Sequence, residues 1–77
     1  PLAVSIVATW PIPPSWPKKR RESEVFKASR PDLDNIAKAV GDGCNGIVWG
    51  DDSQIVRMHA AKVYGPVPGV VVEVHTV

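Results

Sequence analysis

Pro31-Asp-Leu-Asp-Asn-Ile-Ala-Lys-Ala-Val-Gly-Asp-Gly-Cys44 carries a helix and a row of charge in a single stretch. Ile36, Val40 and Cys44 recur at helical spacing, with Ala37 and Ile47 beside them, and form one apolar face. Asp34, Lys38 and Asp42 follow one another every four residues, so a helix stacks them along the opposite face. Asp32 and Asp34 suit the start of such a helix, because a short carboxylate there accepts hydrogen bonds from free backbone amides. Gly41 and Gly43 each weaken it by roughly 1 kcal/mol relative to alanine. Asn45-Gly46 is a stop signal. The pattern predicts a helix over residues 34–44.

Working outward, Leu2, Val4, Ile6, Ala8 and Trp10 alternate with Ala3, Ser5, Val7 and Thr9, which predicts a strand over 2–9 with one face well buried. Pro11, Pro13, Pro14 and Pro17 end it, since proline donates no ladder hydrogen bond, and 10–18 reads as a stiff extended loop. Residues 18–30 show no period and read as a mobile basic arm. After the turn at Gly50-Asp51-Asp52, a strand is expected from Gln54 to Tyr64 with Val56, Met58 and Ala60 on one face, then a last strand from Val70 to Val77. The short link Gly65-Pro66-Val67-Pro68-Gly69 predicts that these two strands are antiparallel neighbours. The expected class is α/β (α+β): a small, mostly antiparallel sheet of about three strands with one packed helix, forming a single domain over 1–77.

At 77 residues the chain has room for one small domain. Its single cysteine excludes an internal disulfide, no Cys/His spacing suggests zinc, and no motif calls for a small-molecule cofactor. This fits a reducing, cytoplasmic setting. No apolar run approaches the ~20 residues that span a bilayer, and no signal peptide is visible. The chain opens on Pro1 within an apolar run, which reads as a piece of a longer protein.

The net charge of +1 conceals a polarity. Lys18, Lys19, Arg20, Arg21, Lys27 and Arg30 stand against Glu22 and Glu24, whereas from Asp32 onward acids outnumber bases. Crowded carboxylates repel one another unless a cation neutralises them, and a basic arm attracts a polyanion. Together they suggest metal-assisted chemistry on a phosphate backbone. The spacing alone also admits a solvated helix face with weak ion pairs, each worth about 0.3–0.5 kcal/mol, and Asp51-Asp52 as ordinary turn residues. A calcium loop of the EF-hand type is disfavoured, since its glycine and terminal glutamate are missing.

Pro31-Asp-Leu-Asp-Asn-Ile-Ala-Lys-Ala-Val, followed by Asp42, Asn45-Gly46, Asp51-Asp52-Ser-Gln-Ile-Val and Lys62-Val-Tyr, resembles the RusA family of Holliday-junction resolvases, typically encoded by prophages. Pro14-Ser-Trp-Pro-Lys-Lys-Arg-Arg is similar to an upstream element of many members, so the resemblance covers roughly residues 10 to 72. It implies a homodimeric, Mg2+-dependent endonuclease (Mn2+ a substitute) that cuts four-way DNA junctions in recombination and repair. The family's essential acids fall on Asp32, Asp34 and Asp52 and its essential lysine on Lys38; Asp51 is an auxiliary metal ligand. For Asp42, support of the metal and plain surface charge stand equal. Lys38 is either an ion-pair partner of Asp34 or an electrostatic partner of the scissile phosphate, and no proton abstraction is assigned to it. The chain departs from the family at Gly41, Gly43 and Cys44, where leucine, alanine and leucine are usual, and it lacks the family's N-terminal strand and helix.

Lys18, Lys19, Arg20 and Arg21 are expected to neutralise DNA phosphates without reading sequence, with Lys27, Arg30 and Lys62 as weaker candidates. Trp16 is a candidate for stacking on an exposed base, while Trp10 and Trp49 read as packing anchors. His59, His75 and Cys44 read as core or surface residues without a catalytic role. Two other readings stay open: a DNA-binding module or fragment without activity, and an interaction domain whose acids only solvate its surface.

Overall fold

The computed structural model describes residues 1–77. Strand β1 (Leu2–Pro11) is built on the alternation read above, with Val4, Ile6 and Ala8 fully buried. It occupies the centre of a three-stranded mixed sheet. On one side β2 (Ile55–Gly65) runs parallel to it, and on the other β3 (Gly69–Thr76) runs antiparallel. The register stacks the apolar side chains across the sheet: Val4 lies between Met58 and Val74, and Ile6 between Ala60 and Val72. With helix α1 (Lys18–Ser23) and helix α2 (Leu33–Cys44), the fold is α+β.

The expected adjacency of the last two strands is not what the structure shows. Residues 66–68 carry the chain past the end of β1, so that Gly65 pairs beside Pro11 and Gly69 beside Thr9. Periodicity identifies a strand but not its partner. Here β1 takes the middle because it has the most buried apolar face, and β2 and β3 each gain more by pairing with it than with each other. Gly69, at φ +151°, makes the turn into β3, a conformation open to glycine and strained for other residues.

A parallel pair cannot be closed by a tight turn, and α2 lies within the long crossover that joins β1 to β2. Its stripe of Ile36, Ala37, Val40 and Cys44 packs on Val4, Ile6 and Trp49, with Leu2, Ile55, Ala60, Val72 and Val74 around them. The helix begins one residue earlier than its pattern indicates and ends where Asn45-Gly46 places the stop, with Gly46 at φ +76°. Two side chains depart from expectation. Ile47 is 82% exposed, because it follows the helix in a loop that folds back to donate three backbone N–H groups to the Cys44 carbonyl. In β2 the register shift beside Leu2 leaves Val56 as an extra residue turned outward, and Ile55 packs inward in its place.

The arm is also more ordered than its sequence suggests. Lys18–Ser23 forms a helix held by (i, i+4) contacts, Lys18–Glu22 at 3.9 Å and Arg20–Glu24 at 3.1 Å, with the Ser23 hydroxyl donating to the Lys19 carbonyl. It buries no residue and therefore has no apolar period to read. Arg20 stacks on Trp16 at 3.9 Å from the ring centroid, and Trp16 meets Tyr64 edge-on at 4.7 Å, which fastens the helix to β2. Beyond it, Phe26 bridges Val63 on the outer edge of β2, through Lys27 N–H to the Lys62 carbonyl and Tyr64 N–H to the Val25 carbonyl.

Lys62 closes the arrangement. Its ammonium donates to the carbonyls of Ser29 (2.7 Å) and Pro31 (2.8 Å), fixing the segment that leads into α2. The Lys62→Met substitution keeps the aliphatic stem but removes both bonds, at a cost of about 1.5–3 kcal/mol for charged hydrogen bonds. Hydrogen exchange at the Lys27 and Tyr64 amides should accelerate at least tenfold in this variant; unchanged exchange would show that Lys62 does not hold the segment.

Candidate active site

The crossover places the acidic residues on three local frames. Asp32 is the residue that caps α2 by position, yet its carboxylate makes no capping hydrogen bond and is exposed. Asp34 stands in the first turn. Asp32 lines a shallow cavity with Arg30, Pro31 and Asn35. Lys38 and Asp42 lie further along the helix and line a second cavity of about 350 Å³, whose other wall is Asp52 from the turn before β2 with Ile55 and Met58 from its first residues. Eight residues separate Asp34 from Asp42, about 12 Å along the axis at 1.5 Å per residue. Because α2 begins beside Lys62 and ends beside Ile55, the turn carrying Asp52 reaches the second half of the helix rather than its beginning.

Lys38 makes no ion pair or side-chain hydrogen bond; the expected alternative of pairing with Asp34 does not form. Lys38 lines the same cavity as Asp42 and Asp52. Asp52 is fixed from behind: its Oδ1 accepts a 2.7 Å hydrogen bond from the Trp49 indole N–H. The loop after α2 supplies this contact by folding back on the Cys44 carbonyl and driving Trp49 into the core, where it is 4% exposed. Trp49, read from sequence as a packing anchor, thus also holds the Asp52 carboxylate. The signal was present in the three-residue spacing to Asp52, although spacing does not tell where an indole points.

Asp51 has a different task. Its carboxylate accepts from the Ser53 backbone N–H at 3.0 Å, and the Gln54 side chain accepts from the Asp51 N–H at 3.0 Å, a reciprocal capping box on the 3-10 turn Asp52–Gln54. One of its oxygens is therefore committed to the backbone. Among the basic candidates, Lys62 is committed to backbone carbonyls, and Lys27 to the Ser29 hydroxyl and the faces of Trp10 and Tyr64. Lys18 and Arg20 are paired with glutamates, whereas Lys19, Arg21 and Arg30 have no acidic partner. His75 lies 3.7 Å from Glu73 near the exposed end of β3, and His59 is exposed on β2; neither lines the two cavities.

No group of three or more His, Cys, Asp or Glu side chains comes together. The donors that do share a cavity, Asp42 and Asp52, are hard oxygen ligands. Magnesium is commonly held by one or two carboxylates, with water and substrate phosphate supplying the rest. The residues fit an ion held jointly by protein and substrate, and not a cage built by protein alone. No helix is long and apolar enough to cross a membrane.

Removing the Asp51 cap isolates its structural part. The Asp51→Ala variant should lose about 1 kcal/mol, which lowers the thermal midpoint by roughly 4–8 °C in a domain of this size. An unchanged midpoint would show that the capping box does not hold the turn.

Residues 1–75 match the family model described as endodeoxyribonuclease RusA. The chain is also similar to YqaN, an uncharacterized protein of Bacillus subtilis (strain 168), with 29% identity over 83 residues. That alignment takes in 100% of this chain and 58% of the relative, so the chain spans less than two thirds of that protein's length. No solved structure matches it.

Proposed function

The chain belongs to the RusA family of endodeoxyribonucleases, and from that membership we propose that it acts as a magnesium-dependent, structure-selective endodeoxyribonuclease resolving four-way DNA junctions in recombination and repair. The observation that supports this reading best is the cavity between α2 and the start of β2, lined by both Asp52 and Lys38, which has no ion-pair partner. A cation and a carboxylate that share a cavity without neutralising each other are available to a third party. A phosphodiester, with its negative charge and its need for a countercharge as the bond breaks, suits both.

In this reading Lys38 binds a non-bridging phosphate oxygen and offsets the charge that grows on it. Asp52, held by Trp49, and Asp42 beside it are the acids nearest that phosphate, and Asp34 and Asp32 continue the acidic line toward the head of α2. Asp42 and Asp52, the two acids that share the cavity, would hold Mg2+, or Mn2+ in its place, together with the substrate. A cation held there would neutralise the scissile phosphate and polarise its oxygens. Arg30 in the neighbouring cavity, with Lys19 and Arg21 on the arm, takes phosphates on either side, so a strand laid along α2 meets both cavities. A homodimer would set two such sites against the two strands of a symmetric junction, in the cytoplasm of a bacterial or phage-infected cell.

The Asp52→Asn variant should lose cutting of a synthetic four-way junction by a factor of about 100–1,000, the scale of losing one principal electrostatic group, while still retarding the junction in a gel. If it cuts at the wild-type rate, Asp52 is not part of the site. One observation favours a second reading, a junction-binding module without activity: no three acids converge. Retention of the junction with no products in either magnesium or manganese would support that alternative.

A further inference from the structure

We infer that Trp49 is a positioning residue of the reaction, acting through Asp52 rather than on DNA. This inference rests on the nuclease reading above and adds a residue to it. The indole ring is a core element, packed with Val4 and Ile6 and almost wholly buried. An indole N–H is a donor only, and a buried one needs an acceptor. It has one: the Asp52 carboxylate, at 2.7 Å, the length of a charge-assisted bond. Asp52 itself is exposed and lines the Lys38 cavity. The hydrogen bond therefore runs from the rigid interior to a solvent-facing acid.

The consequence follows from the rotamers of a short side chain. Aspartate has two torsions, and an exposed aspartate samples several combinations of them. Anchoring Oδ1 to a ring locked in the core restricts both, so Oδ2 is the oxygen left to serve a cation or a phosphate. The capping box of Asp51 with Ser53 and Gln54 fixes the backbone of the same turn. Backbone and carboxylate are thus held by two separate devices, one local and one from the core. Groups that orient a metal-binding carboxylate in this way are typically worth 10–100-fold in metal affinity or activity.

The test replaces Trp49 by Phe, which keeps most of the apolar volume and loses the donor. It reads manganese affinity by paramagnetic resonance on the complex with a non-cleavable four-way junction, and junction cutting across a manganese titration. The expected result is a 10–100-fold rise in the manganese needed for half-maximal cutting, a matching loss of manganese affinity, and junction affinity within twofold of wild type. In the wild-type protein, the Trp49 indole N–H resonance should lie downfield and shift on the Asp52→Ala substitution, a readout independent of any activity. The inference is overturned if Trp49→Phe leaves the manganese titration unchanged, if its loss of cutting vanishes on cooling as a purely structural defect would, or if the indole resonance ignores Asp52→Ala. Failure of the nuclease reading looks different: the wild-type protein then cuts no junction in manganese, while the indole resonance still shifts on Asp52→Ala.

Discussion

The parallel pairing of β1 with β2 is the constraint from which the rest of the molecule follows. Two parallel strands need the chain to travel back the full length of the sheet between them, and α2 makes part of that journey. The helix pays its way by burying Ile36, Ala37, Val40 and Cys44 on the one face of β1 that is fully apolar. Once that face is chosen, the opposite side of α2 must point outward, and this is where Asp34, Lys38 and Asp42 lie. The start of β2 is then brought beside the second half of the helix, with Asp52 facing Lys38 across a shared cavity. Charge is assembled by the geometry of apolar burial, not by attraction among the charges.

The same constraint explains how the carboxylates are distributed. Asp32 and Asp34 are carried to the end of α2 that Lys62 clamps, and Asp42 and Asp52 to the other. Repulsion among four acids is relieved by spreading them along a helix, which leaves each pair with a free cation nearby, Arg30 at one cavity and Lys38 at the other. Trp49 and Lys62 fix the frames, and the cations proposed to meet DNA, Lys38, Arg30, Lys19 and Arg21, have no acidic partner.

Much of this was legible in the sequence where a period or a motif carried it. The alternation from Leu2 to Trp10, the helical stripe ending at Cys44 and the stop at Asn45-Gly46 all correspond to observed elements. The motif linking Asp32, Asp34 and Lys38 to Asp51-Asp52 pointed to the family that the whole-chain match supports. Strand order was not legible, because a short Pro-rich link between β2 and β3 is as compatible with skipping a strand as with a hairpin. Helix α1 was missed because it is held by side-chain ion pairs and by Arg20 on Trp16, neither of which leaves an apolar period. The different fates of Asp51 and Asp52 were also hidden. Neighbouring aspartates look alike in a sequence, and only the fold reveals that one faces the backbone of its own turn while the other meets an indole from the core.

The central claim is that Lys38 and Asp52 act as one unit on a phosphate at their shared cavity. A double-mutant cycle of Lys38→Met and Asp52→Asn, read as single-turnover cutting of a four-way junction with protein in excess, tests it most directly. Residues that act together are strongly non-additive, so the double variant should cut no more slowly than the worse of the two single variants. If the two losses multiply instead, Lys38 and Asp52 serve separate steps, and the cavity between α2 and β2 is not the catalytic unit.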